Sequence, residues 1–221
     1  MKRIVILLVF LFAVVTSLSA QQLASIERYL NLALSAYEEG RYDDVISFAD
    51  KAMPYIDSYI ENNKNPQDLE EYTTVCSHYC SLWYILGHSY LKKQEYQNAI
   101  EALENFALIC THILGESHQY YAASLGNLAR CYSDIGDYAQ AIELHKQALE
   151  IRKRVLGENH PDYATSLNSL AVCYEKIGDY ERAIELQKQA LEIRKRALGE
   201  NHPNYAITLN NLAYCYSTTG H

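Results

Sequence analysis

Leu125-Gly126-Asn127-Leu128-Ala129-Arg130-Cys131-Tyr132 returns as Leu167-Asn168-Ser169-Leu170-Ala171-Val172-Cys173-Tyr174 and again as Leu209-Asn210-Asn211-Leu212-Ala213-Tyr214-Cys215-Tyr216, each copy 42 residues after the last. Upstream, Leu86, Gly87 and Tyr90 stand in the columns of Leu128, Ala129 and Tyr132. The register runs beyond these strings. Tyr96, Tyr138 and Tyr180 align, as do Ala99, Ala141 and Ala183, and the Leu-Gly-Glu at 114–116 comes back at 156–158 and 198–200. Self-similarity at a fixed period of this size marks a stack of supersecondary units.

Inside a unit, Leu167, Leu170, Ala171 and Tyr174, then Ala183, Leu186, Ala190 and Leu191, fall at helical spacing. Each unit is therefore two amphipathic helices. Gly178-Asp179 between them supplies a chain reversal and an N-cap, because glycine tolerates positive φ and the carboxylate accepts from free amides of the next first turn. Gly136-Asp137 does the same one unit earlier, with Gln140 three residues on as in a capping box. The second helices stop at Gly157 and Gly199, and His160-Pro161 or His202-Pro203 opens the following one, with proline where the amide has no helical partner. A pair this small cannot bury its apolar face alone, so stability comes from stacking each pair on the next.

Trp83-x-x-Leu86-Gly87-x-x-Tyr90 followed by Ala99 resembles the tetratricopeptide signature. The longer period and the strings Leu-Gly-Glu-Asn-His-Pro and Leu-Asn-Asn-Leu-Ala are similar to the 42-residue variant of kinesin light chains and many bacterial repeat proteins. The resemblance implies an all-α fold, a right-handed superhelical solenoid of antiparallel helix pairs. Residues 21–61 read as a degenerate first repeat, in which Leu32, Ala33, Gly40, Tyr42 and Ala52 keep the spacing. Residues 62–81 read as a connecting loop around Pro66 with a helix extension. Residues 82–221 read as three 42-residue repeats, the last truncated after its first helix. Leu209, Leu212 and Tyr216 would then lack part of their packing.

The first 20 residues have the layout of a secretory signal peptide: Lys2 and Arg3, the apolar run Ile4 to Val15, then the small and polar Thr16, Ser17, Ser19 and Ala20. That run is too short for the roughly 20 residues a membrane-crossing helix needs. Cleavage after Ala20 or Ser19 would leave a chain exported to the periplasm or outside the cell, with no membrane insertion. The formal charge is −8, and losing Lys2 and Arg3 makes it more negative. A surface of that sign repels phosphate backbones, so nucleic acid is not an expected partner.

Candidate chemistry reduces to packing. Cys131, Cys173 and Cys215 share one repeat position beside the signature tyrosine. Equivalent helices in neighbouring units lie about 8–10 Å apart, beyond the roughly 7 Å Cα limit for a disulfide. They read as core thiols. Cys76 and Cys80, on successive turns of one helix, have side-chain vectors that suit a bridge poorly. Cys110, His112 and His118 match no zinc spacing, and the histidines read as solvated or capping. The clusters Arg152-Lys153-Arg154 and Arg194-Lys195-Arg196 share their helices with Glu143, Glu150, Glu185 and Glu192 and read as solvated outer faces. No phosphate loop, nucleophile elbow or isolated carboxylate pair is present. No enzyme activity, catalytic residue, cofactor or metal is expected.

The resemblance implies that the first helices of successive units line a concave groove. Carried onto this chain, its positions are Tyr84, His88 and Lys92; Ala123, Arg130 and Asp134; Thr165, Asn168, Val172, Glu175 and Lys176; and Asn210, Tyr214 and Thr218. It implies further that Asn168 and Asn210 hydrogen-bond the backbone of an extended peptide, an amide offering donor and acceptor together. Gly126 stands where a third such Asn would be. The expected function is a non-catalytic scaffold for a protein or peptide segment. The alternative is the sensory or regulatory arm of a longer protein, such as a caspase-like peptidase or a membrane signalling protein.

Overall fold

The computed structural model describes residues 20–62 and 69–220. The leader expected over residues 1–20 therefore lies, but for its last residue, outside the described residues, as does the loop around Pro66. Every regular element among the described residues is a helix: α1 (Ala20–Glu38), α2 (Tyr42–Asn62), α3 (Leu69–Lys92), α4 (Tyr96–Leu114), α5 (Gln119–Asp134), α6 (Tyr138–Leu156), α7 (Pro161–Lys176), α8 (Tyr180–Leu198) and α9 (Pro203–Thr219). The fold is all-α, built of antiparallel helix pairs, and falls into two compact units that divide between Ile109 and Cys110.

The turns inside the pairs share one chemistry. Gly40, Gly136 and Gly178 all have positive φ, and the next amide donates back five residues, Asp137 to the Tyr132 carbonyl at 2.8 Å and Asp179 to that of Tyr174 at 2.9 Å. This closure satisfies carbonyls the ending helix leaves open. The Asp137 and Asp179 carboxylates then accept from the amides of Gln140 (3.1 Å) and Arg182 (3.2 Å). In the α3–α4 turn the same conformation falls on Gln94, φ 61°, without glycine's freedom. Lys93 holds that turn by bonding Asp43 at the start of α2 (2.6 Å) and Glu95 (2.8 Å).

Between pairs the chain reverses at Gly157 and Gly199, each capping the helix before it. A histidine then starts the next helix. His118, His160 and His202 accept at Nδ1 from the amides of Tyr120, Asp162 and Asn204 at 3.1–3.2 Å. The same ring nitrogen thus serves as the N-cap acceptor in all three units.

In the first unit Ile26, Leu30, Ala33 and Ala36 of α1 meet Val45, Ala49, Ala52 and Ile56 of α2, and Val75, Leu82, Ile85 and Leu86 of α3 close the layer. Gly87 is required by packing, because a Cβ there would lie 2.7 Å from Leu103 Cγ. In the second unit Leu170, Cys173 and Tyr174 of α7 pack with Ala141 and Ile142 of α6, Ala183 of α8 and Cys215 of α9. Cys131, Cys173 and Cys215 are all buried and none forms a disulfide. Desolvation pushes all three thiols up, Cys131 to about 12, which keeps them protonated and unreactive.

Two of the residues expected on solvated outer faces turn inward. Arg152 and Arg194 do not lie on a solvated outer face, although Lys153, Arg154, Lys195 and Arg196 do. Arg152 donates to the Asp162 carbonyl (3.2 Å) and the Ser166 hydroxyl (2.6 Å), staking α6 to α7. Arg194, buried, donates to the Asn204 carbonyl (2.9 Å), the Thr208 hydroxyl and Thr165 (3.3 Å), staking α8 to α9 and α7. A guanidinium is taken inward here because its donors match a carbonyl and a hydroxyl one turn apart on the next helix.

Exposure along α9 shows what the second helix of a pair covers. Leu167 is 1% exposed and its equivalent Leu209 is 45% exposed; Ala164 and Ala171 are buried, while Ala206 and Ala213 are open.

Candidate functional site

In the second unit α5, α7 and α9 run side by side, with Tyr132 of α5 packed against the cluster that holds Leu170 and Cys173 of α7, and Asn211 of α9 bonded to Asn168 of α7. The helices α6 and α8 cover their other side. At about 100° per residue, the buried positions of α7 (Ala164, Leu167, Leu170, Ala171, Tyr174) leave Thr165, Val172 and Lys176 at the centre of the opposite face. The equivalent residues are Ala123, Arg130 and Asp134 on α5 and Ile207, Tyr214 and Thr218 on α9. Ile207 and Tyr214 are each half exposed, so this face offers apolar as well as polar contacts.

The remaining groove candidates occupy the edges of that face. Asn168 points along the furrow to α9, where its Oδ1 accepts from Asn211 Nδ2 at 3.3 Å. Sequence reasoning missed Asn211, whose signal is angular: a residue one position after the Asn168 column sits on the opposite edge of its helix and faces the helix before it. Glu175 also lies in the furrow, largely covered, 3.7 Å from Lys176 and close enough to Cys215 to raise that thiol. Thr165 accepts from Arg194 and donates to the Pro161 carbonyl (3.1 Å), so its hydroxyl is committed to the seam. Asn210 is exposed on α9. Arg130 and Asp134 stand 3.8 Å apart, both well exposed. Such a pair contributes little to stability and leaves both charges available to a partner.

In the first unit Tyr84 and His88 stack with ring centres 4.3 Å apart, and Tyr84 meets Phe106 edge-on at 5.5 Å. His88 Nδ1 lies 3.1 Å from the Tyr84 carbonyl. Lys92 is exposed at the last position of α3. No group of three or more His, Cys, Asp or Glu side chains placed to hold a metal occurs among the described residues, and His118 serves α5 as its N-cap.

No curated protein matches the sequence at a significant level. Solved structures do. The chain is similar to BtubC (BKLC) from P. vanneervenii, 22% identical over 88% of this chain and 84% of that one, with a TM-score of 0.64. It is similar to a Podosopora anserina protein of kinesin-light-chain type with nearly identical TPR-like repeats, 25% identical over 88% and 86%, TM-score 0.64. RapI in its apo form shares the fold at 16% identity over 89% and 70%, TM-score 0.65. The tetratricopeptide repeat family model matches residues 78–154, 135–196 and 175–221. The 42-residue period, the glycine-closed turns and these matches agree, and the chain belongs to the tetratricopeptide repeat family.

Proposed function

We propose that the chain is a non-catalytic scaffold that holds a protein segment, as an extended peptide, across the exposed faces of α5, α7 and α9. Tetratricopeptide repeats generally mediate protein–protein interaction. The observation that carries the reading here is the set of side chains the stack does not use: Arg130, Asp134, Val172, Lys176, Asn210 and Tyr214 on one side of three adjacent helices. Charge, amide and aromatic groups together suit a peptide backbone with mixed side chains better than a small apolar ligand.

A display library of random peptides, selected on the immobilised chain, supplies the probe. Replacing Asn168 and Asn210 together by Ala should lower affinity for a selected peptide about tenfold, each lost amide costing about 0.5–1.5 kcal/mol. Folding should weaken by no more than about 1 kcal/mol, from the lost bond to Asn211. Equal affinity in parent and variant would remove the groove as the site.

Export belongs to the same reading and is supported by Lys2, Arg3, the Ile4 to Val15 run and the small residues that follow. We place the mature chain in the periplasm or outside the cell. Its intact mass, measured on protein recovered from there, should correspond to a start at or near Gln21. Soluble protein that retains Met1 would refute export.

A further inference from the structure

Nine glycines occur in the chain, and eight have a structural reason. Seven have positive φ, where a side chain is strained, and Gly87 is pinned by Leu103. Gly126 has neither reason. It sits in the middle of α5 without positive φ, and a Cβ built on it meets nothing within 4 Å. Glycine is the poorest helix former after proline, so α5 gives up stability at this position with no gain in packing.

The furrows beside it supply the contrast. Between α7 and α9, Asn168 and Asn211 meet across the gap at 3.3 Å. One repeat earlier the same two positions are Gly126 on α5 and Ser169 on α7. Glycine has no side chain and serine is too short to cross alone, so no rung closes that furrow. The two helices still meet along this furrow, where Tyr132 of α5 packs against the cluster that holds Leu170 and Cys173 of α7. Ala123 one turn before Gly126 keeps the opening clear, and Arg130 one turn after it bounds the far side.

We infer that Gly126 and Ser169 form a notch between α5 and α7 that admits one bulky side chain of the bound extended peptide and selects for it. The inference rests on the peptide-binding reading above and names its specificity determinant. Adjacent first helices are about 8–10 Å apart and an extended chain rises about 3.3 Å per residue. The peptide residue about three positions along therefore lies over the Asn168–Asn211 rung, where no notch exists to fill.

The test selects random peptides on the full chain, on Gly126→Asn and on the double variant Gly126→Asn/Ser169→Asn, with affinities measured by calorimetry and helix content by circular dichroism. Peptides selected on the parent should share one position restricted to large side chains. Gly126→Asn should bind them at least tenfold more weakly, with helix content unchanged or higher, and the double variant should select peptides without that restriction. Shrinking the large peptide residue to Ala should weaken binding to the parent about tenfold and to Gly126→Asn less than twofold. Unchanged affinity of Gly126→Asn, or no size restriction among parent-selected peptides, overturns the notch and leaves the groove standing. Loss of helix content in Gly126→Asn would show that packing requires the glycine and also overturns it. If the parent selects no peptide at all, the groove reading fails and the notch with it.

Discussion

Leu170→Ala should lower stability by about 2–5 kcal/mol, the range for truncating a buried leucine when the site cannot collapse. Leu170 is 4% exposed and shares a cluster with residues of α6, α7, α8 and α9. A cavity there touches the seam on each side of α7, so neither neighbouring pair can move in without leaving the other. Leu209→Ala supplies the contrast, because nearly half of its surface already faces solvent. The apolar area removed is small, and its loss should stay under about 1 kcal/mol. Urea midpoints of the two variants against the parent measure both. Equal losses would mean that the register placing Leu170 in the stack and Leu209 at its open face is wrong.

That contrast marks how far the sequence could be read. The 42-residue columns carry the fold because repetition multiplies weak signals: a single Gly-Asp is a common turn, but Gly136-Asp137 and Gly178-Asp179 in one register specify two reversals of the same kind. The α3–α4 turn was not legible in this way, since Gln94 adopts the conformation without the residue that announces it. The face of each first helix came from the resemblance; Leu170 and Leu212 are buried, while Val172 is half-buried and Tyr214 is exposed.

Polar residues in the seams escaped the reading because their partners lie on another helix. Arg152 and Arg194 sit among charges that pattern like a solvated face, and only the hydroxyls at Ser166 and Thr208 distinguish them. The signal existed: both pairs are separated by 14 residues, and the same two columns in the preceding repeat hold Cys110 and Ser124, which have no charge to place. Asn168 was assigned to the groove by resemblance, and its bond to Asn211 shows that part of its capacity serves the furrow between α7 and α9.

His145 is another buried polar group of this kind, and it predicts a pH dependence. It occupies the column of Leu103 and Gln187, all three buried on second helices. Desolvation, with the positive charge of Arg152 nearby, pulls the imidazole down from its ordinary 6.5 to about 4. The unfolded chain therefore takes up a proton near pH 6.5 that the folded chain refuses until about pH 4. Above 6.5 both states are neutral and nothing is lost. As pH falls through that window the unfolded state binds more protons and is stabilised, and the loss to the fold is complete below about 4. The full shift corresponds to about 3 kcal/mol, of which about 2 kcal/mol should appear between pH 7 and pH 4.5. His145→Gln is the control, because glutamine does not titrate and the fold already buries Gln187 at the equivalent position. Urea midpoints at the two pH values should fall by about 2 kcal/mol more in the parent than in His145→Gln. An equal fall in both proteins would show that acid acts on groups other than this imidazole.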